Sequence, residues 1–223
     1  MRFELFSVSG LEMNGSEHID YFSQFGLPRH LQMDLAALEK AYYAQSRRLH
    51  PDRFATKPLA EQEAALAESS NLNDAYRTLK EPVARTEHLL ALEGVQMEEQ
   101  SRNATDAARA SGGMKKQVAP PDLLEEVFEL NMQLEEMRMN RKMGEDDPQL
   151  ASELEAAKEK FESMLAGSQS DLENLWKQWD AALDAQDAAG RLKARDAMVA
   201  LLNRRSYIRN LVRDVNEACE VAA

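Results

Sequence analysis

Hydrophobic residues recur at helical intervals in two long blocks of the chain, 19–100 and 122–223. Residues 101–121 separate the blocks and hold Ser-Gly-Gly and Pro-Pro, and their apolar side chains are mostly small. Because such a segment buries little surface, we expect a linker or mobile loop there. Residues 1–18 precede the first block and are expected to form a loosely ordered leader.

The first block predicts a helical hairpin with short flanking helices. Asp34 is a candidate N-cap for a helix that ends at Leu49, because His50-Pro51-Asp52 follows and the residue before a proline is pushed out of the α region. Pro58 suits the first turn of a second helix that ends near Leu79. The expected buried face of this second helix consists of Ala64, Ala65, Leu72, Ala75, Tyr76 and Leu79.

The second block predicts a three-helix bundle, which makes the expected fold all-α. Turns are expected at Asp146-Asp147-Pro148 and around Ala188–Gly190. On the first two helices, apolar residues at four-three spacing form narrow seams suited to antiparallel packing. The predicted seams are Leu123, Val127, Leu130, Leu134 and Met137 on the first helix, and Leu150, Leu154, Ala157, Phe161 and Met164 on the second.

The first helix of the bundle also carries a second apolar stripe. At about 100° per residue, this stripe lies roughly 100–180° from the seam, on what should be the solvent face. An amphipathic helix needs only one apolar face, so a second one edged by acid indicates a partner-binding surface. The alternative is that the third helix or the linker covers it. The stripe consists of Leu124, Phe128, Met132 and Met139, flanked by Glu125, Glu129, Glu135 and Glu136.

Composition and charge narrow the range of partners. Gly (9) and Pro (7) are scarce, which favours helices. With 27 Lys/Arg against 39 Asp/Glu the net charge is −12, so phosphate backbones and anionic membranes would repel the chain. No apolar run is long enough to span a bilayer, and the N-terminus lacks the pattern of a targeting signal. We therefore expect a cytoplasmic protein with no nucleic-acid or membrane partner.

Candidate catalytic and metal-binding groups are sparse. Cys219 is the only cysteine, so it can form no internal disulfide and cannot by itself hold an iron–sulfur cluster or a four-thiolate zinc ion. The histidines (18, 30, 50 and 88) are dispersed, and no Ser/His/Asp or Cys/His constellation is visible. We expect no enzyme activity, no cofactor and no metal.

The sharpest local signal is His50-Pro51-Asp52, at the break between the two long helices of the first block. The surrounding residues 34–58 contain five Lys/Arg and three Asp/Glu, a net +2 within a chain of −12. A basic helix that ends at an exposed loop is a plausible docking surface for an acidic partner. The residues expected to form this surface are His50, Pro51, Asp52, Lys40, Arg47, Arg48 and Arg53.

Further residues of the first block extend this motif into a known pattern. They are Asp20-Tyr21-Phe22, Phe25-Gly26-Leu27-Pro28, HPDRF (50–54), Ser69, Leu72-Asn73, Ala75-Tyr76, Thr78-Leu79, Pro82, Arg85 and Leu89-Leu90. The pattern resembles a J-domain, the module with which J-proteins stimulate ATP hydrolysis by heat-shock-70-class chaperones. Within that class it is similar to the HscB family of iron–sulfur co-chaperones, bacterial type. The resemblance covers about 20–95 and continues more loosely over 122–223.

The resemblance implies an adaptor that docks on an HscA- or DnaK-type chaperone and delivers the iron–sulfur scaffold protein IscU. By position, the scaffold-binding residues would be Leu124, Phe128, Glu129, Met132, Glu136 and Phe161. Met132 stands where relatives usually carry an acid, and Phe161 also fits the core seam. The 101–121 segment is longer than the family norm, and the cysteine quartet found in many eukaryotic relatives is absent.

Two other functions stay open at this point. A general J-protein serving another client would stimulate a chaperone without binding IscU. An acidic helical scaffold, in which the His-Pro-Asp tripeptide is accidental, would not stimulate any chaperone ATPase.

Overall fold

The computed structural model describes residues 19–95 and 120–220, and all regular secondary structure within these two ranges is helical. The predicted all-α class is therefore confirmed. The expected leader, 1–18, and most of the expected linker, 101–121, lie outside the described residues. The described α-helices are α1 (Tyr21–Gln24), α2 (Leu35–Leu49), α3 (Leu59–Lys80), α4 (Pro82–Leu92), α5 (Leu124–Met143), α6 (Pro148–Asp184) and α7 (Ala188–Glu220).

The chain divides into two compact units. The first unit holds the described residues before Met97 together with Trp176–Arg195, and the second holds the described residues 120–175 and those from Asp196 onward. Helices α6 and α7 thus contribute residues to both units. The domain boundaries expected from the sequence, 19–100 and 122–223, stay a prediction.

The first unit is built on the hairpin of α2 and α3, and local sequence signals set its helix ends. The Asp34 carboxylate caps α2 as predicted, accepting from the backbone N–H groups of Ala36 at 2.9 Å and Ala37 at 3.1 Å. Helix α2 ends before Pro51, also as predicted. Pro58 differs by one position, because it is the N-cap residue immediately before α3 rather than a residue of its first turn.

Helix α3 buries one stripe of small and large apolar side chains in the hairpin core. Four predicted members of this stripe are buried and Tyr76 is half-buried, but the prediction for Ala64 was wrong. Ala64 is exposed because it points about 100° away from its buried neighbour Ala65. The buried members are Ala65, Leu72, Ala75 and Leu79.

The tip formed by Trp176–Arg195 packs against the segment that leads into α2. Asp180 is only 8% exposed, and its carboxylate accepts from the backbone N–H groups of Leu31 and Gln32, both at 2.8 Å. Burial raises the pKa of Asp180 above its usual range, although the two N–H donors act in the opposite direction. Other contacts of the tip join Trp176 to Thr86, Trp179 to Arg29 and His30 to Asp184.

The second unit is a three-helix bundle of α5 with parts of α6 and α7. Salt bridges join α5 to the other two helices: Glu126 of α5 meets Lys160 of α6 at 3.4 Å, and Asp122, just before α5, meets Arg204 of α7 at 2.8 Å. The bundle core confirms the predicted seam of α5 in full. On α6, Ala157 and Met164 are only half-buried against that core. The core residues are Leu123, Val127, Leu130, Leu134, Met137, Leu150, Leu154, Phe161, Ile208, Leu211 and Val215.

The ends of α5 follow from backbone chemistry. Gly144 takes φ +72°, a left-handed conformation that glycine adopts without steric cost, and its N–H bonds to the Arg141 carbonyl at 3.1 Å. Asp147 then caps α6 through the N–H groups of Gln149 and Leu150, each at 3.0 Å, so the predicted turn at 146–148 is confirmed. None of the described helices is both long and apolar enough to cross a membrane.

Candidate functional site

The His50-Pro51-Asp52 loop is exposed where α2 ends. His50 is the C-cap residue of α2, with ψ 131°, and Pro51–Arg53 form a single 3-10 turn. The side chains of His50 and Asp52 are 58% and 89% exposed. The Asp52 carboxylate is therefore presented to solvent at the end of a helix.

An internal hydrogen bond gives this loop its shape. The backbone N–H of Asp52 donates to Nδ1 of His50 at 3.3 Å, so the neutral ring carries its proton on Nε2 and presents that donor outward. The Asp52 carboxylate lies 3.5 Å from the same Nδ1. Pro51 holds φ and cannot donate, which restricts the turn further. The loop thus offers a ring donor and a carboxylate within one turn of chain.

The predicted basic residues surround this loop and are all exposed. Arg47 and Arg48 occupy the last turn of α2, where a positive charge also complements the helix dipole. The guanidinium of Arg53 donates to the Arg47 carbonyl at 3.5 Å, and Lys40 lies nearly three turns before the loop. The structure therefore brings Lys40, Arg47, Arg48 and Arg53 to one helix and the turn that follows it.

Sequence reasoning missed Tyr43, which lies on the same side of α2. Its side chain is 54% exposed, and the Nε of Arg47 donates to its carbonyl at 3.2 Å. Its spacing from Lys40 and Arg47, three and four residues, was the signal that could have identified it. An exposed tyrosine between two cations offers a large, stiff contact area of the kind found at interfaces.

The second apolar stripe of α5 is exposed in the structure. Side-chain exposure is 56% for Leu124, 67% for Phe128 and 59% for both Met132 and Met139. No described residue of α7 covers them, which removes half of the alternative interpretation, while residues 101–119 lie outside the described part of the chain. The seam on the other side of the same helix is buried. Helix α5 therefore has two apolar faces, of which one has no function in the described core.

The remaining predicted scaffold-binding residues separate into two groups. Glu129 and Glu136 are exposed on one edge of the stripe. Phe161 is only 1% exposed and belongs to the bundle core, in agreement with its position in the predicted seam of α6. It therefore does not share the exposed surface of Leu124 and Phe128, because its ring fills the space between the three helices.

Metal-binding groups are not clustered in either unit. Within residues 19–95 and 120–220, no three His, Cys, Asp or Glu side chains lie close enough to hold an ion. Cys219 is a free, half-buried thiol beside the bundle core.

Comparison with known structures assigns these features to a family. No protein-family model matches the chain. The chaperone HscB from Vibrio cholerae is 27% identical, with a TM-score of 0.53 over 92% of this chain and 100% of that one. Human co-chaperone protein HscB is 21% identical, with a TM-score of 0.49 over 86% of this chain and 80% of that one. The chain also has an exposed HPDRF loop between two hairpin helices and, in its other unit, a three-helix bundle, and together with these features the full-length similarity to the bacterial protein supports the HscB family of co-chaperones.

Proposed function

We propose that this protein stimulates the ATPase of an HscA- or DnaK-type chaperone and delivers the scaffold protein IscU to it for iron–sulfur cluster assembly. The observation that carries the proposal is the exposed His50-Pro51-Asp52 loop at the end of a basic helix. Similarity to the chaperone HscB from Vibrio cholerae over the whole of that chain supports a co-chaperone role. The HscA- or DnaK-type chaperone and IscU are the specific partners that we propose for this role.

The loop supplies two chemically distinct contacts to the chaperone. The Asp52 carboxylate is 89% exposed and would pair with a basic residue of the chaperone, while His50 would donate from Nε2. Lys40, Arg47, Arg48 and Arg53 would face an acidic surface on the same partner, and opposite charges arranged in this way speed encounter and fix orientation.

The bundle supplies the client contact through the exposed stripe of α5. Leu124, Phe128 and Met132 would provide the apolar contact, and Glu129 and Glu136 would meet basic side chains of the scaffold. We call these five residues the client surface. Phenylalanine and methionine suit such a surface because they offer large and adaptable contact area. Client and chaperone thereby bind to different units of one chain, which couples client capture to nucleotide turnover.

An ATPase assay with loop variants tests the proposal. Asp52→Asn and His50→Gln should each lose most of the stimulation, because removing one member of a desolvated charge pair commonly costs about 2–5 kcal/mol. Helicity and melting should stay unchanged, since both side chains are exposed. Asp74→Asn is the matched control, because this exposed aspartate of α3 pairs only within its own helix, with Arg77 at 2.5 Å.

The outcomes separate the competing functions. Normal stimulation by both loop variants would refute the proposed contact. Stimulation by the wild type without IscU binding would identify a general J-protein for another client. A wild type that stimulates no chaperone would indicate an acidic helical scaffold instead.

A further inference from the structure

The exposed apolar stripe of α5 continues beyond the client surface. Met139 and Met143 are 59% and 60% exposed, as much as Met132 at 59%. A shallow cleft on this helix runs without interruption from Phe128 to Met143 and is lined also by Asn131 and Asn140. The two methionines lie beyond Glu136, the last residue of the client surface.

Helical geometry places these methionines in line with the client surface. At about 100° per residue, Met139 and Met143 point within roughly 60° of Phe128. At about 1.5 Å of rise per residue, Leu124 and Met143 are roughly 28 Å apart along the helix. The apolar track is therefore as long as a five-turn helix, or as about eight residues of extended chain.

Glu135 is the one charged residue near the centre line of this track, and it is paired. Its Oε1 accepts from the guanidinium of Arg138 one turn later. This ion pair neutralises the carboxylate and draws it toward the Arg138 edge of the helix. The apolar residues before and after Glu135 are therefore separated by a paired charge and not by an isolated one.

The two edges of the track carry opposite charges. Glu125, Glu129 and Glu136 follow one edge at about 60–100° from Phe128, whereas Arg138 and Lys142 follow the other at about 40–80° on the opposite side. A complementary ligand therefore needs apolar side chains along its centre and Lys or Arg on one flank only. This asymmetry fixes the direction in which the ligand is bound.

From these observations we infer that Met139 and Met143 form a second apolar subsite for the same client, so that IscU is held along the whole of α5. The inference rests on the proposed function. The occupant is a client segment about 28 Å long with a basic flank against Glu125, Glu129 and Glu136. A second copy of this chain fits poorly in either direction. Antiparallel two-fold packing would bring the three glutamates against the same edge of the other copy, and parallel two-fold packing would leave Glu125 and Glu129 without basic partners, because Arg138 and Lys142 lie only at the far end of the helix.

Titration calorimetry with IscU tests the second subsite. The variants are Met139→Ala/Met143→Ala, Met143→Glu and Phe128→Ala, with Leu66→Ala as the control because Leu66 is a 66% exposed leucine on α3. The double alanine variant should bind roughly tenfold more weakly, and Met143→Glu at least as weakly, with melting temperatures unchanged because both side chains are exposed. The control should bind like the wild type.

Each outcome decides the inference. Wild-type binding by both methionine variants, while Phe128→Ala is weakened, would confine the client to the client surface and leave the proposed function intact. No IscU binding by the wild type would overturn the proposed function and the second subsite together. A concentration-dependent dimer in light scattering that Met143→Glu dissociates would assign this face to a second copy and overturn the inference.

Discussion

Asp180 joins the end of α6 to the segment before α2 through two hydrogen bonds from backbone N–H groups. Its carboxylate accepts from the N–H groups of Leu31 and Gln32, both at 2.8 Å, and partners 148–149 residues away along the chain depend on it. Leu31 is fully buried, so its N–H would lose its acceptor in an Asp180→Ala variant, whereas the exposed Gln32 can bond to water. A buried donor without a partner costs about 1–3 kcal/mol, and each hydrogen bond to a charged acceptor contributes about 1.5–3 kcal/mol.

The cost of burying the Asp180 charge offsets part of the stability that these two hydrogen bonds contribute. Because burial raises the pKa of Asp180, its charged form is less stable in the folded than in the unfolded chain. This charge penalty is absent below the ordinary pKa of an aspartate, near 4, and is fully present above the raised pKa of Asp180 in the folded chain. We therefore expect Asp180→Ala to lower the free energy of unfolding at pH 7 by about 2–4 kcal/mol. Asp180→Asn, which keeps one acceptor without the charge, should cost less.

Tryptophan fluorescence reports on this contact directly, because both tryptophans of the chain lie in it. Trp179 is 1% exposed and donates to the Arg29 carbonyl at 3.0 Å, and Trp176 donates to the Thr86 hydroxyl at 2.9 Å. With a urea slope of about 1.5 kcal/mol per M, a loss of 3 kcal/mol moves the fluorescence midpoint down by about 2 M. Asp171→Ala, an exposed change on the same helix, is the control. A fluorescence midpoint for Asp180→Ala equal to that of the control would refute the reasoning.

Two further predictions test the bundle and the start of the hairpin. Leu130 is 1% exposed and Phe128 is 67% exposed. Leu130→Ala should therefore cost about 2–5 kcal/mol of stability, whereas Phe128→Ala should leave the melting temperature nearly unchanged and weaken IscU binding at least tenfold. Equal destabilisation by the two variants would place Phe128 in the core. Burial acts to raise the pKa of Asp20, but hydrogen bonds from Ser23 and the charge of Arg29 outweigh it and lower the pKa. The stability that Asp20 contributes is therefore present above about pH 4 and is lost as the pH falls through the lowered pKa of Asp20 in the folded chain. The unfolding curves of Asp20→Asn and wild type should accordingly converge in acid. A difference in stability that does not change with pH would contradict this.

Features set by neighbouring residues were predictable from the sequence. The Asp34 cap, the helix end before Pro51 and the α5 seam depend on chemistry within a few residues of each position, and all three are present. The prediction for Ala64 was wrong because an alanine gives little signal about which side of a helix is buried.

The contact between the tip and the rest of the first unit could not be predicted, since its partners are far apart in sequence. Trp176, Trp179 and Asp180 share one face of a helix, and that spacing alone indicates only that this face is partly apolar. Nothing in the local sequence states that Asp180 would accept from backbone N–H groups near residue 31. The charge on a largely apolar face was the available signal, because a buried carboxylate requires hydrogen-bond donors from somewhere in the fold.

The two proposed binding surfaces depend on separate cores. The His50-Pro51-Asp52 loop belongs to a hairpin held by Leu38, Leu72 and Leu79, whereas Phe128 projects from a helix held by the bundle core around Leu130. A substitution on either exposed surface removes no side chain from either core, so it should change one partner's binding and leave the other surface folded. This separation is what an adaptor requires, because each partner can then be bound with an affinity set by its own surface residues. Coupling between the two would arise when both partners are present on one chain, rather than from strain within either unit.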